Sequence, residues 1–152
     1  MSNCPDANLI LDFFEGRLRN GDHLTIADMH QFSDFEIETD HLSIQWLFPN
    51  RHQSPISPDA PHLTEEAIFV VRNSKAALQS FRTSLAMMTS FYERNSHWIR
   101  HRDHNHLRIS RIIETTRAIL GTIEATAFFD FISERVGNIV SDRVYAIWRS
   151  KL

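Results

Sequence analysis

The strongest constraint on the fold is a run of large apolar residues in the middle of the chain, spaced alternately three and four apart. In an α-helix, residues at these spacings share one face, whereas a strand would send alternate residues to opposite faces. The run therefore predicts a long amphipathic helix that buries its apolar face against other helices. Its members are Leu78, Phe81, Leu85, Met88 and Tyr92.

Similar spacing on both sides predicts further helices, whose ends are marked by capping residues, glycines and Pro49. Asn73 and Ser74 could cap or kink the chain before the long central helix. No stretch predicts a strand. We expect an all-α, single-domain bundle of about seven helices, with the domain extending over residues 1–152. The predicted helices cover residues 7–18, 25–32, 33–48, 64–95, 103–120, 122–136 and 139–149.

Composition supports this fold class. A chain of 152 residues that is 42% apolar can bury one sizeable core but is short for two. It has eleven Phe against four Gly, which argues for large side chains packed between helices and against a turn-rich sheet protein.

Charge and cysteine content exclude several classes of function. The net charge of -3 gives no basic field for nucleic acid or an anionic membrane, and no apolar run is long enough to span a bilayer. The single cysteine, Cys4, fits a reducing compartment, so we expect a cytoplasmic protein with no membrane partner. No phosphate loop, nucleophile elbow or HExxH helix is present, so no cofactor is expected. The oligomeric state stays open.

One stretch combines histidines and arginines with the start of a predicted helix, the WIRHRDHNHLRISRII of Trp98–Ile113. On a helix, His104, Arg108, Arg111 and Thr115 are four, three and four residues apart and form one stripe. Arginine forks beside a helix N-terminus suit a carboxylate or a phosphate. The alternative is that these arginines pair with acidic residues of neighbouring helices, such as Glu36, Glu38, Glu66 or Glu134.

Three other chemistries are open for the same stretch. His97, His101, His104 and His106 could ligate a metal, although their spacing matches no strong zinc motif, and no metal is expected. As an enzyme, the chain would use His104 as general acid or base, oriented by Asp103 or Asp59, with Arg108 and Arg111 holding an anionic substrate. Nucleic acid is disfavoured because the locally basic region sits in a net acidic chain.

A long connection follows the third predicted helix. From Pro49 to His62 it contains Pro49, Pro55, Pro58 and Pro61 between polar residues, which indicates an extended surface loop. Loops of this length in a small domain are often functional.

Three separated blocks of the sequence resemble the opioid growth factor receptor conserved-region family. These are SIQWLFP at Ser43–Pro49, DAPHLTEEAI at Asp59–Ile68 and HNHLRISRII at His104–Ile113, and the resemblance extends over about Leu9–Phe131. It implies a helical domain and, in vertebrate members, a nuclear association and growth restraint through an enkephalin peptide. The chain resembles the short, single-domain microbial members. Positions that match the family are His41, Gln45, Trp46, Phe48, Pro49, His104, Asn105, Leu107, Arg108 and Arg111.

Together these observations favour a binding module for a small anionic ligand or a peptide, with the acid-base enzyme as the alternative. The matching polar and aromatic residues are expected to line one pocket. Its predicted residues are His41, Gln45, Trp46, His104, Asn105, Arg108 and Arg111.

Overall fold

The computed structural model describes residues 5–52 and 60–152, and every regular element in those ranges is an α-helix. The all-α prediction is therefore confirmed. Cys4, Pro55, Pro58 and Asp59 lie outside the described residues. The helices are α1 (Pro5–Phe14), α2 (Ile26–Met29), α3 (Asp34–Thr39), α4 (Ser43–Leu47), α5 (Glu65–Arg72), α6 (Lys75–Arg94), α7 (Asn105–Leu120), α8 (Thr122–Val136) and α9 (Asp142–Ser150).

The chain divides between Ser84 and Leu85, inside α6, into two compact units. The expectation of one domain over the whole chain stays a prediction. Within the described ranges, no helix combines the length and the apolar character that crossing a membrane requires.

The core of the first unit is aromatic. Helix α1 packs against α5 and carries Phe13 and Phe14, both fully buried. Phe14 stacks on Phe81 at 6.0 Å between ring centroids, and the edge of Phe48 meets Phe81 at 5.5 Å. Phe13 meets Trp46 at 5.2 Å. These large side chains therefore form an aromatic cluster in the first unit.

Local hydrogen bonds set the helix starts of this unit. Thr25 and Ser33 each form a reciprocal capping box, with Asp28 and Glu36 respectively. The Thr64 hydroxyl accepts a hydrogen bond from the backbone N–H of Ala67 at 3.1 Å. These caps satisfy N–H groups that have no partner inside the helix, and they confirm the predicted starts.

The predicted unbroken helix over residues 33–48 is wrong, because the structure divides it into α3 and α4. Asp40 adopts an extended conformation with φ -88° and ψ 97°. Its carboxylate accepts hydrogen bonds from the backbone N–H groups of Leu42 and Ser43, both at 3.0 Å, and from the Ser43 hydroxyl at 2.6 Å. The aspartate thus offers the backbone an alternative to continuing the helix. Phe35, in the first turn of α3, is 75% exposed.

Helix α1 also ends earlier than the predicted Leu18. Gly16 takes φ +84°, a left-handed conformation that glycine adopts at low cost and that terminates the helix.

In the second unit, α7 packs against α8 and α9. Ile109, Ile112 and Ile113 of α7 are fully buried, as are Ile132 of α8 and Trp148 of α9. The predicted bounds of α7 and α8 agree with the structure, with Gly121 between them at φ +104°. Ile123, in the first turn of α8, is 87% exposed. Helix α9 begins at Asp142, after the predicted start at residue 139.

An arginine from α8 closes the carboxyl end of α6. Arg135 donates from one terminal nitrogen to the carbonyls of Tyr92, Glu93 and Asn95 at 3.2, 3.0 and 3.3 Å. The last carbonyls of a helix have no partner inside it and carry partial negative charge, so a guanidinium there stabilises the helix end.

Candidate functional site

The amino end of α7 is held by the carboxylate of Asp103, whose side chain is fully buried. Its Oδ1 accepts hydrogen bonds from the backbone N–H of Asn105 at 2.9 Å and from the Asn105 side-chain amide at 3.0 Å. Its Oδ2 accepts from Arg100 Nε at 2.9 Å. Burial alone would raise the pKa of Asp103, but these hydrogen bonds outweigh it and lower the pKa below its ordinary value. The anion at this helix end is therefore the chain's own side chain.

Asn105 links this cap to α6. It is fully buried, and its side-chain oxygen accepts a hydrogen bond from the Tyr92 hydroxyl at 3.2 Å. The Tyr92 ring meets Trp98 edge-on at 5.0 Å. Asn105, predicted as a ligand-binding residue, thus takes part in a buried polar network that fixes the start of α7.

The two arginines of the predicted stripe lie further along α7. Arg108 is 5% exposed, and Arg111 is half-buried. Burial lowers the pKa of the Arg111 guanidinium, and the negative charge of Glu114 opposes that effect. Thr115, the last member of the stripe, is fully buried. The fold therefore removes these two guanidinium groups largely from water, and this loss of hydration costs free energy.

His104, the first member, differs from the arginines because its side chain is 44% exposed. Its Nδ1 lies 3.7 Å from Asp103 Oδ1, within ion-pair range but beyond hydrogen-bond distance. Asp103, one of the two partners considered for His104, thus lies beside its ring. The other partner considered for His104, Asp59, is outside the described residues.

His106 is a structural residue of the second unit. Its Nε2–H donates to the Trp98 carbonyl at 3.0 Å, and its own carbonyl accepts from Trp148 Nε1 at 3.0 Å. Burial lowers the pKa of His106, so the neutral ring is favoured. Across residues 5–52 and 60–152, no three His, Cys, Asp or Glu side chains gather as metal ligands.

In the first unit, α4 carries the other predicted site residues. Gln45 and Trp46 are 6% and 8% exposed, whereas His41, just before the helix, is exposed. In the part of the chain that the structure describes, no donor reaches the buried Gln45 Oε1. An unpaired buried amide oxygen lowers the free energy of unfolding by about 1–3 kcal/mol, and Gln45 Oε1 could accept a further hydrogen bond.

The predicted site residues thus fall in both units. His41, Gln45 and Trp46 belong to the first unit, and His104, Asn105, Arg108 and Arg111 to the second. The common pocket stays a prediction.

A pocket of about 570 Å³ lies elsewhere in the second unit, and the sequence did not predict it. It is formed by the end of α8, the following turn and α9. Its polar and charged residues lie on α8, on α9 and in the turn that connects these two helices and starts at Gly137. The lining residues are Phe129, Ser133, Gly137, Asn138, Val140, Asp142, Tyr145 and Arg149.

Comparison with known families identifies the larger part of the chain. The opioid growth factor receptor (OGFr) conserved region matches residues 3–97, more than half of the sequence. The chain belongs to this family. The match contains the SIQWLFP block and the TEEAI that follows the long connection, in agreement with the resemblance. Neither a curated protein nor a solved structure matches the chain.

The matched region ends before α7. His41, Gln45 and Trp46 therefore lie inside the family match, and His104, Asn105, Arg108 and Arg111 lie outside it. Leu107, also carried over by resemblance, is 71% exposed on α7. For the α7 residues, the physical setting of the side chains is the ground for any functional argument.

Proposed function

We propose that this OGFr conserved-region protein is a binding module that recognises an anionic group, a carboxylate or a phosphate, on a small molecule or a peptide. The observation that carries the proposal is the pair of arginines on α7, one buried and one half-buried. Because Asp103 occupies the end of the helix, the anion is assigned to the guanidinium groups one and two turns further along.

Electrostatics favour an anion at this position. Burial lowers the pKa of Arg111, which means that its charged form has lost hydration. A carboxylate or phosphate that reaches the exposed part of the Arg111 side chain adds charge-assisted hydrogen bonds. Arg111 is the more exposed of the two arginines and meets the ligand first, while Arg108 adds positive charge on the same face.

Gln45 and Trp46 of α4 enter the proposal through their own setting in the first unit. The unpaired Gln45 Oε1 accepts a hydrogen bond from an N–H donor, which peptides and amides supply and simple anions do not. A Gln45→Leu variant is expected to leave phosphate binding unchanged, because it alters no residue of the arginine pair.

Thermal stabilisation by ligands tests the proposal. Sodium phosphate and succinate are titrated at constant ionic strength against wild type, Arg108→Gln, Arg111→Gln and Arg117→Gln. A ligand at about ten times its Kd stabilises the folded state by about 1.4 kcal/mol, which raises Tm by about 3–6 °C for a chain of this size. Arg117 is the matched control because it is an exposed arginine of the same helix.

The expected result is a saturable rise in Tm that the Arg111 and Arg108 variants lose and the Arg117 variant keeps. A rise that all four proteins share would reflect general ionic effects and would contradict the proposal, as would the absence of any rise.

A further inference from the structure

The pocket beside α9 combines opposite charges with an apolar wall. Asp142, Tyr145 and Arg149 line it from α9. They are three and four residues apart and so share one face of the helix. The Cα atoms of Asp142 and Arg149 are separated by about 10 Å along the helix axis. One helix face thus presents a carboxylate, a phenol ring and a guanidinium in that order.

The two charges are held apart and not neutralised. The Arg149 guanidinium lies over the Tyr145 ring, 5.0 Å from its centroid. Both charged residues are exposed, and within the described ranges neither forms an ion pair. The guanidinium is therefore drawn back along the helix towards Tyr145.

The rest of the pocket is fixed and partly apolar. The Tyr145 hydroxyl donates to the Gly137 carbonyl at 2.7 Å and to the Ser133 carbonyl at 3.3 Å, which ties the ring to the end of α8. The Ser133 hydroxyl oxygen is buried and, in the described part of the chain, has no hydrogen-bond partner. Phe129 and Val140 add apolar surface. Small-molecule sites are typically preformed, largely apolar pockets that contain a few polar groups.

We propose that this pocket binds a small zwitterion with an apolar side chain, of the α-amino acid class. Asp142 accepts hydrogen bonds from the ammonium group, and Arg149 donates to the carboxylate. The side chain of the ligand packs on Phe129 and Val140. The volume of about 570 Å³ lies within the ordinary range for ligands of modest size. This site shares no residue with the arginine pair of α7 and stands independently of the proposed anion recognition.

Three matched ligands test each charge separately. L-phenylalanine carries both groups, 3-phenylpropanoate lacks the ammonium group, and phenethylamine lacks the carboxylate. Binding to the folded chain is followed by amide chemical shifts in two-dimensional NMR at constant ionic strength. Wild type is expected to bind phenylalanine saturably and each analogue about three- to tenfold more weakly, because one charge-assisted contact is lost.

Variants then assign the charges. Asp142→Asn is expected to lose the preference for phenylalanine over 3-phenylpropanoate and to keep the preference over phenethylamine. Arg149→Gln is expected to show the reverse. Arg143→Gln, an exposed arginine of α9 that does not line the pocket, serves as control and should behave as wild type. Circular dichroism and Tm verify that each variant is folded.

The proposal is overturned if phenylalanine gives no saturable shifts, if all three ligands bind equally, or if Arg143→Gln changes the preferences as much as Arg149→Gln. Arg111→Gln should leave phenylalanine binding intact, so this site and the proposed anion site fail separately.

Discussion

Replacing Asp103 by alanine is expected to destabilise the second unit more than any ordinary surface change. The carboxylate is fully buried and receives hydrogen bonds from two groups of Asn105 and from Arg100. Alanine removes the N-terminal cap of α7 and leaves the Asn105 donors without this acceptor.

The magnitude follows from the separate contacts. Loss of a helix cap costs about 0.5–2 kcal/mol. Depriving the buried Asn105 amide of its acceptor adds about 1–3 kcal/mol. The pair with Arg100 adds little, because that arginine side chain is 65% exposed and water screens the interaction. The expected loss in the free energy of unfolding is about 2–4 kcal/mol, since the two larger contributions overlap at Asn105.

Urea unfolding at pH 7, followed by circular dichroism, measures this loss. Asp103→Asn keeps one acceptor oxygen and should lose about half as much, and Asp130→Ala, an exposed aspartate within α8, should change stability by less than about 0.5 kcal/mol. Since the pKa of Asp103 is lowered in the folded state, its contribution is present above its unfolded pKa of about 3.9 and is lost as the pH falls through the folded pKa. An Asp103→Ala variant as stable as wild type would refute the reasoning.

Three further predictions follow from single contacts. Burial lowers the pKa of His30 and His106, so as the pH falls the unfolded chain binds protons before the folded chain does, and the free energy of unfolding should decrease below about pH 6.5. Urea unfolding from about pH 7.5 to 5 measures this decrease. A double glutamine variant whose free energy of unfolding depends on pH as steeply as that of wild type would contradict the prediction. Arg135→Ala should cost about 1–3 kcal/mol in urea unfolding, because the carbonyls of Tyr92 and Glu93 lose the Arg135 donor, while the Asn95 carbonyl loses it too but keeps its hydrogen bond from Trp98 Nε1. Gly121→Ala should cost about 1–3 kcal/mol from its φ of +104° alone, since no atom crowds the added Cβ, whereas Gly21→Ala should be close to neutral in Tm.

Most helices could be predicted from the sequence because their signals are local. The bounds of α7 and α8 follow from the apolar spacing and from Gly121, and Thr25 and Thr64 begin their helices as expected. In these segments, caps, glycines and periodicity all favour the same boundaries.

The wrong helix predictions have physical causes that apolar spacing does not show. In the sequence, Asp40 resembles any polar residue on the surface of a helix. In the structure, its carboxylate accepts hydrogen bonds from two backbone N–H groups, and the chain breaks there between α3 and α4. Ile123 satisfies the apolar pattern of α8 but sits in the first turn, on a face that remains 87% exposed. Periodicity indicates which residues share a face and not whether another element covers that face.

The candidate sites were less predictable than the fold. Spacing placed Arg108, Arg111 and Thr115 on one face, but the burial of Arg108 and Thr115 and the partial burial of Arg111 depend on tertiary packing that the sequence does not specify. The three hydrogen bonds that the Asp103 carboxylate accepts from Asn105 and Arg100 at the start of α7 required the structure. The pocket beside α9 depends on the conformation of the turn after α8, so no local sequence pattern predicts it.

The most direct measurement of anion recognition follows the arginine side chains themselves. In a two-dimensional NMR titration with phosphate at constant ionic strength, the Nε–Hε resonances report on each guanidinium separately. The proposed function predicts saturable shifts for Arg108 and Arg111 and none for the exposed Arg117. Unchanged Arg108 and Arg111 resonances, or equal shifts for all three arginines, would contradict it.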